Sequence, residues 1–312
     1  MGEGSKGECF FRVAIYYEGP FYVKRGKNNT TMDRQKKVIL VTGGSSGIGY
    51  EAAQRLARMG HKVYAAARRT SLMESLVDDG VTPLALDVTD ATSRQACVDE
   101  VLRHEGRIDV LVNNAGYGYF GAIECVPLEE ARRQLEVNVF GLAEMTRLVL
   151  PAMRSQHSGR IVNIASIAGR AVFPMGGWYN VSKYSVEALS DALRIELKPF
   201  GIDVAIIEPG CIKTDWGIIA ADHLEECSRG TAYEQPALRE AAAMRWAYKG
   251  NFITKPTRVA QAVVRAATSR CPRTRYRLGT ASFSVTVLHA MLPARWWDAM
   301  VRTIMSVKIK QS

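Results

Sequence analysis

From Lys37 onward, short apolar runs rich in β-formers alternate with amphipathic stretches at helical spacing. That alternation predicts a parallel sheet wrapped by helices. Strands are predicted over Val38–Thr42, Lys62–Ala66, Thr82–Leu86, Asp109–Asn113, Arg160–Ala165, Asp203–Glu208 and Arg275–Leu278. Helices are predicted near Gly47–Met59, Ser71–Asp78, Ala91–Glu105, Leu128–Arg154, Tyr179–Lys198 and Pro256–Thr268. The spacing leaves no domain boundary, repeat or low-complexity tract between residues 37 and 280, so this stretch reads as a single doubly wound α/β domain.

Composition narrows the function classes. A chain of 312 residues, 47% hydrophobic and 23% charged, can bury a full core. No apolar run reaches the roughly 18 residues of a membrane-spanning helix, so a soluble protein is expected. Six scattered cysteines, with no Cys-x-x-Cys pair and no clustered histidines, suggest neither a disulfide framework nor a metal site, and fit a reducing cytoplasm. A net charge of +10 could attract nucleic acid, anionic membrane or an anionic cofactor. The excess is spread in short clusters such as Arg34–Lys37, which reads as a basic surface and not as a nucleic-acid groove. Residues 1–36 differ from the rest. Glu3 and Glu8 precede an apolar run broken by Arg12, unlike a signal peptide, and Met32 stands just before the first strand, so a flexible extension or upstream start is expected.

Thr42-Gly43-Gly44-Ser45-Ser46-Gly47-Ile48-Gly49 joins the first strand to the first helix. Glycines let backbone approach a pyrophosphate, and a helix N-terminus supplies amide donors and a positive dipole end. No Gly-Lys-Ser/Thr follows, which argues against a nucleoside-triphosphate loop. Further on, Tyr179 and Lys183 are four apart and share one helix face. A phenol with a pKa of about 10 is a poor base near neutrality. An ammonium about 4 Å away, at an effective dielectric of about 20, favours phenolate by about 4 kcal/mol, which would bring the tyrosine toward working pH. Ser166, at the end of the fifth strand, could hydrogen-bond a carbonyl oxygen as it gains charge while Tyr179 donates the proton. Ser182 and Ser185 read as helix-surface hydroxyls.

The spacing Gly43-x-x-x-Gly47-x-Gly49, with Asn113-Asn114-Ala115-Gly116, Asn138, Ser166, Tyr179-Asn180-Val181-Ser182-Lys183 and Pro209-Gly210, resembles that of short-chain dehydrogenases/reductases. The resemblance runs from about Lys37 to the C-terminal region. It implies a Rossmann-type sheet, with Asn138, Ser166, Tyr179 and Lys183 as the catalytic set, Lys183 also holding the nicotinamide ribose and Asn138 placing a water beside Lys183. It implies further that Gly43, Ser45, Ser46, Gly47, Ile48 and Gly49 cradle the cofactor, and that Asp87 and Val88 flank the adenine. Asn114, Ala115 and Gly116 would line the cleft together with Pro209 and Gly210, while Ile212 and Thr214 contact the nicotinamide amide. By the same analogy the helices Leu128–Arg154 and Tyr179–Lys198 would form a homodimer or homotetramer interface.

Cofactor choice rests on the end of the second strand. An acid for the ribose 2′-hydroxyl is expected there in an NAD enzyme, but Ala67 holds the place and Arg68 and Arg69 follow. Arginines suit a 2′-phosphate, so NADP(H) is expected. Tyr117, Tyr119, Phe173, Met175, Trp178 and Trp216 gather around the expected carbonyl site as an aromatic, apolar wall. The segment Trp216–Gly250, within a lid region near residues 212–255, is placed to fold over a substrate. The tail Ser282–Met305 alternates apolar clusters with Arg295 and Arg302. Such a helix could cap the pocket, dock on another subunit or lie on a membrane surface, and its length resembles the hydroxysteroid and retinol branch. The expected activity is NADP(H)-dependent interconversion of a ketone or aldehyde with its alcohol on a lipophilic molecule. The rival expectations are a 3-oxoacyl thioester reductase and a non-catalytic cofactor-sensing regulator.

Overall fold

A computed structural model describes residues 36–249, 253–279 and 282–306. The extension expected over residues 1–36 lies outside the described residues, Lys36 excepted. All the described residues belong to one compact unit, the tail included.

Seven strands form one parallel sheet: β1 Val38–Thr42, β2 Lys62–Ala67, β3 Val81–Ala85, β4 Val110–Asn113, β5 Gly159–Ile164, β6 Ile202–Pro209 and β7 Arg275–Leu278. Their order is β3-β2-β1-β4-β5-β6-β7. The helices are α1 Gly47–Arg58, α2 Ala91–Glu105, α3 Leu128–Leu135, α4 Gly141–Ser155, α5 Gly177–Glu196, α6 Trp216–Ser228, α7 Glu234–Lys249, α8 Pro256–Thr268, α9 Ser282–Met291 and α10 Ala294–Ser306.

Both faces of a parallel sheet are covered, so its strands are apolar at consecutive positions while their side chains alternate between two cores. In β1, Ile39 and Val41 pack with Ala52 and Leu56 of α1 and Val259 and Val263 of α8. Val38 and Leu40 point the other way, to Val98 and Val101 of α2 and Met145 and Val149 of α4. β1 pairs with β2 on one side and β4 on the other. The strand order therefore reverses beside β1, and a crevice opens at the carboxyl ends of β1 and β4.

Four segments differ from expectation. The helix expected over Ser71–Asp78 is a 3₁₀ turn, Thr70–Leu76, whose buried residues Met73 and Leu76 stand three apart, the spacing of that tighter helix. The single helix expected over Leu128–Arg154 is α3, a π-turn at Glu136–Phe140, and α4. The expected lid over Trp216–Gly250 is a pair of packed helices, α6 and α7, with Ala221, Leu224, Ala237 and Ala241 between them. The tail is two helices, since Pro293 cannot continue α9.

Candidate active site

The turn after β1 is held by its neighbours. The Thr42 hydroxyl accepts the backbone N–H groups of Asn114 at 3.0 Å and Ala115 at 3.1 Å. The Asn114 amide donates to the carbonyls of Thr42 and Gly43, both at 3.0 Å. Gly43 has φ +66°, and a Cβ there would lie 2.8 Å from the Ala115 Cα, so this position admits only glycine. Ser46 ends the turn without capping α1 through its side chain, which leaves the helix's first amides facing the crevice. The crevice is an open cleft of about 2600 Å³.

Its wall carries Gly43, Ser45, Ser46, Gly47 and Ile48 from the turn, Arg68 and Arg69 after β2, and Asp87 and Val88 after β3. Asn114, Ala115 and Gly116 follow from β4, and Pro209, Gly210, Ile212 and Thr214 from β6. Gly49 is the exception. It is buried behind the turn, where a Cβ would strike the Asn114 amide and the Gly43 carbonyl, so it serves packing and is not on the cleft wall. The narrow glycine turn, the uncapped helix end and the free arginines fit a dinucleotide laid across the strand ends.

Ser166 leaves β5 in extended conformation, its hydroxyl accepting the Ala168 N–H at 3.1 Å. Asn180 in α5 donates to the carbonyls of Ala168 (2.8 Å) and Ala171 (3.0 Å). It thus ties the Ser166 loop to the helix that bears Tyr179 and Lys183, while the Ser166 hydroxyl donates to the Pro209 carbonyl at 3.4 Å and lines the cleft together with Tyr179. Lys183 donates from Nζ to the Ile164 carbonyl at 2.9 Å, with Nζ 5.8 Å from the Tyr179 ring centre. Asn138 sits in the π-turn, where the widened helix swings it inward. Its amide donates to the Tyr117 carbonyl at 2.8 Å and the Ser182 hydroxyl at 3.0 Å, and its carbonyl accepts the Tyr117 N–H at 3.0 Å. Ser182 in turn donates to the Tyr179 carbonyl at 2.8 Å. Contrary to the surface role expected for it, Ser182 is fully buried and joins Asn138 to the helix of Tyr179.

Beyond Tyr179 the cleft is aromatic. Phe120, Tyr179 and Trp216 form a cluster with ring centres 5.1 to 5.6 Å apart. Tyr117, Tyr119 and Phe173 also line it, Tyr119 stacked on His223 at 4.5 Å. Met175 and Trp178 do not line it. Met175, at φ +59°, turns beneath α6 and α7 into their apolar contact, and Trp178 is half-buried elsewhere on α5. The tail supplies Val285, Trp297, Met300 and Val301 to the wall. Trp297 is buried against Phe173, its indole N–H donating to the Val172 carbonyl at 3.4 Å, so the tail packs on its own domain and closes the cleft's flank.

Residues 37–222 match the family model described as short chain dehydrogenase. This chain belongs to that family. A probable short-chain type dehydrogenase/reductase of Helicobacter pylori, VdlC, is 36% identical over 269 residues, covering 86% of this chain and 97% of the relative. A 3-ketodihydrosphingosine reductase of Bacteroides thetaiotaomicron is 42% identical over 180 residues, 58% of this chain and 65% of that protein. The crystal structure of a short-chain dehydrogenase from Streptomyces avermitilis superposes with a TM-score of 0.71 at 34% identity, over 88% of this chain and 99% of that one. Short-chain dehydrogenases are oxidoreductases that use nicotinamide cofactors.

The electrostatics differ from the expectation set by the sequence. Burial pushes the Tyr179 hydroxyl up to about 12, opposed by the influence of the Ser166 hydroxyl. Burial likewise brings the Lys183 ammonium down to about 8, opposed by the Glu187 carboxylate one turn along. Desolvation outweighs the attraction of Lys183, whose Nζ is bonded to a backbone carbonyl rather than to the phenol oxygen. Tyr179 is therefore neutral near pH 7 and holds a proton to give, while Lys183 is mostly charged. For carbonyl reduction, kcat/KM should be level up to about pH 7.5 and fall as pH rises through about 8, where the Lys183 ammonium is lost. Glu187→Gln removes the group that raises Lys183, so its pH break should move to lower pH. A break that stays in place would show that Lys183 does not set the profile.

Among the described residues there is no membrane-spanning helix and no cluster of metal ligands. Sequence reasoning missed Phe120, Asn180, His223 and Trp297. Phe120 was legible as a neighbour of Tyr119. Trp297 could not be told from Trp296, which is 69% exposed, before the phase of α10 was fixed.

Proposed function

We propose that this chain is an NADP(H)-dependent oxidoreductase that interconverts a ketone or aldehyde and its alcohol on a lipophilic substrate. The observation that carries this is the meeting of a proton-holding Tyr179, on one cleft with Ser166, with the aromatic cluster of Phe120 and Trp216. When bound, a nicotinamide would supply or accept the hydride. Ser166 and Tyr179 hold the carbonyl oxygen by hydrogen bonds that strengthen as it gains negative charge, and Tyr179 passes its proton to that oxygen. Lys183 keeps a positive charge beside the tyrosine and so stabilises the phenolate left behind. The apolar wall excludes water from the reacting carbon. The full Ser166, Tyr179 and Lys183 set supports catalysis over a cofactor-sensing role.

Support for NADP(H) comes from the end of β2. Ala67 stands where an acid would meet a ribose hydroxyl, while Arg68 and Arg69 are exposed on the cleft wall and make no hydrogen bond or ion pair with any described residue. NADPH should bind at least about tenfold tighter than NADH, as a charge-assisted phosphate contact is worth about 1.5 to 3 kcal/mol, and Arg68→Ala should remove most of the difference. Titration calorimetry showing equal affinities in the unmutated protein would refute the choice. A panel of steroid, retinoid and long-chain ketones, acyl thioesters and small sugars, followed by NADPH absorbance, tests the substrate class. Preference for 3-oxoacyl thioesters or for small polar carbonyls would overturn the lipophilic ketone assignment. The relative named as a 3-ketodihydrosphingosine reductase supports a keto group as target.

Apolar side chains left exposed on α3, the π-turn and α5, namely Leu128, Phe140, Val181, Tyr184 and Ile195, support a homodimer or homotetramer through these helices. Phe283 and Met291 on α9 and Trp296 on α10 are exposed beside Arg295 and support a peripheral membrane contact. The free cysteines Cys97, Cys125, Cys211, Cys227 and Cys271 support a reducing, cytoplasmic setting.

A further inference from the structure

Helix α7 brings a carboxylic acid, Glu240, to the wall of the substrate side of the cleft. Glu240 makes no hydrogen bond or ion pair with any described residue, and burial alone raises its carboxyl above the usual range. The charged groups around it do not serve it. On its own helix, Arg245 pairs with Glu225 and Asp222, and Arg239 is exposed to solvent. From α6, the His223 ring stacks on Tyr119, and Glu226 carries the same charge as Glu240. Lys183 is bonded to the Ile164 carbonyl.

Glu240 lines the same cleft as Ser166 and Tyr179, with Cys211 after β6 on its wall as well. One bound molecule can therefore face the acid and the Ser166 and Tyr179 hydroxyls together. An unpaired carboxylate in a largely apolar site is costly unless something of opposite charge joins it. A positive group on the bound molecule would meet that condition and leave the carbonyl end at Ser166 and Tyr179.

We propose that Glu240 docks an ammonium group of the substrate, making the preferred molecule a lipophilic amino ketone, or the amino alcohol in the reverse direction. This rests on the oxidoreductase function proposed above. Two measurements separate the two ideas. Calorimetry with octylamine against octanol reads the acid alone, without chemistry. The amine should bind at least about tenfold tighter, as expected for a charge-assisted hydrogen bond, and Glu240→Gln should abolish the difference. In kinetics, ketones of one chain length carrying hydrogen, hydroxyl or a primary amine at increasing distance from the carbonyl are compared with NADPH. The best amino ketone should exceed the unsubstituted ketone in kcat/KM by about tenfold or more, and Glu240→Gln should lower its kcat/KM about tenfold more than that of the unsubstituted ketone. Glu240→Lys should shift preference toward a keto acid, and NADPH affinity reports that both variants are folded. Equal binding of octylamine and octanol, or a hydroxyl ketone as good as the amino ketone, would overturn the ammonium site while leaving the reductase function standing. Amine-selective binding with no ketone turned over would uphold the site and overturn the reductase function.

Discussion

Tyr179→Phe should lower turnover by at least about two orders of magnitude while NADPH affinity stays within about twofold. The phenylalanine ring keeps the contacts with Phe120 and Trp216, at 5.5 and 5.1 Å between ring centres, so the cleft retains its shape. What is lost is one hydroxyl, and with it the proton that the proposed mechanism passes to the carbonyl oxygen. General acid catalysis contributes about 10² to 10⁴ in rate, which sets the scale. Because burial pushes this hydroxyl up to about 12, it is protonated across the physiological range, so the loss should be the same at pH 6 and pH 7.5. Stopped-flow measurement of NADPH oxidation separates hydride transfer from product release. A mutant with near-normal single-turnover rate would show that another group gives the proton.

Arg275→Met should destabilise the fold by about 3 to 5 kcal/mol, the cost of leaving a buried charge without its partner. Arg275 on β7 reaches Glu208 at 3.0 Å, Glu187 at 3.1 Å and Asp191 at 2.6 Å. Glu208 is fully buried and Glu187 nearly so. Arg277, at 2.8 Å from Glu208, would be left to serve that carboxylate alone, and Arg170, at 4.0 Å, is the remaining cation near Glu187. For a chain of this size the melting temperature should drop by roughly 10 °C. The deficit also depends on pH. Burial and the Glu208 charge raise Glu187 to about 7 in the folded protein. A carboxyl raised in this way binds more protons folded than unfolded, so its contribution to stability falls as pH rises from about 4.5 through 7. The mutant should therefore lose more at pH 8 than at pH 5.5. A thermal scan showing equal melting temperatures for mutant and wild type would mean that this network contributes nothing net. Glu187 lies one turn from Lys183 on α5, so the same substitution should also disturb the lysine and reduce turnover.

The sheet was legible in the sequence because parallel strands are buried on both faces. Runs such as Val38–Thr42 and Arg160–Ile164 can hardly be anything else in a chain of alternating periods. The glycine turn was legible for a related reason, since Gly43 holds a backbone angle that other residues rarely adopt. Ser166, Tyr179 and Lys183 were singled out by residue type and spacing and Asn138 by the family resemblance, and the fold brings all four to one end of β4 and β5. The helix around Asn138 was misread as continuous, because a π-turn changes one hydrogen-bond register without changing the apolar pattern.

Sequence by itself thus determined the layered α/β architecture and the glycine turn, and it singled out Ser166, Tyr179 and Lys183, which the fold gathers at one cleft; all of these depend on local backbone preferences and short spacings. The tertiary structure decided the rest. It fixed that Trp297 and not Trp296 closes the cleft, that Met175 and Trp178 turn away from it, and that Ser182 is buried. It also set the protonation of Tyr179 and Lys183, in the direction opposite to what pairwise attraction alone implies for the phenol. The physical reason is common to these cases. Burial is a sum over neighbours from distant parts of the chain, and desolvation follows burial, so neither a side chain's exposure nor its charge can be read from the residues beside it in sequence.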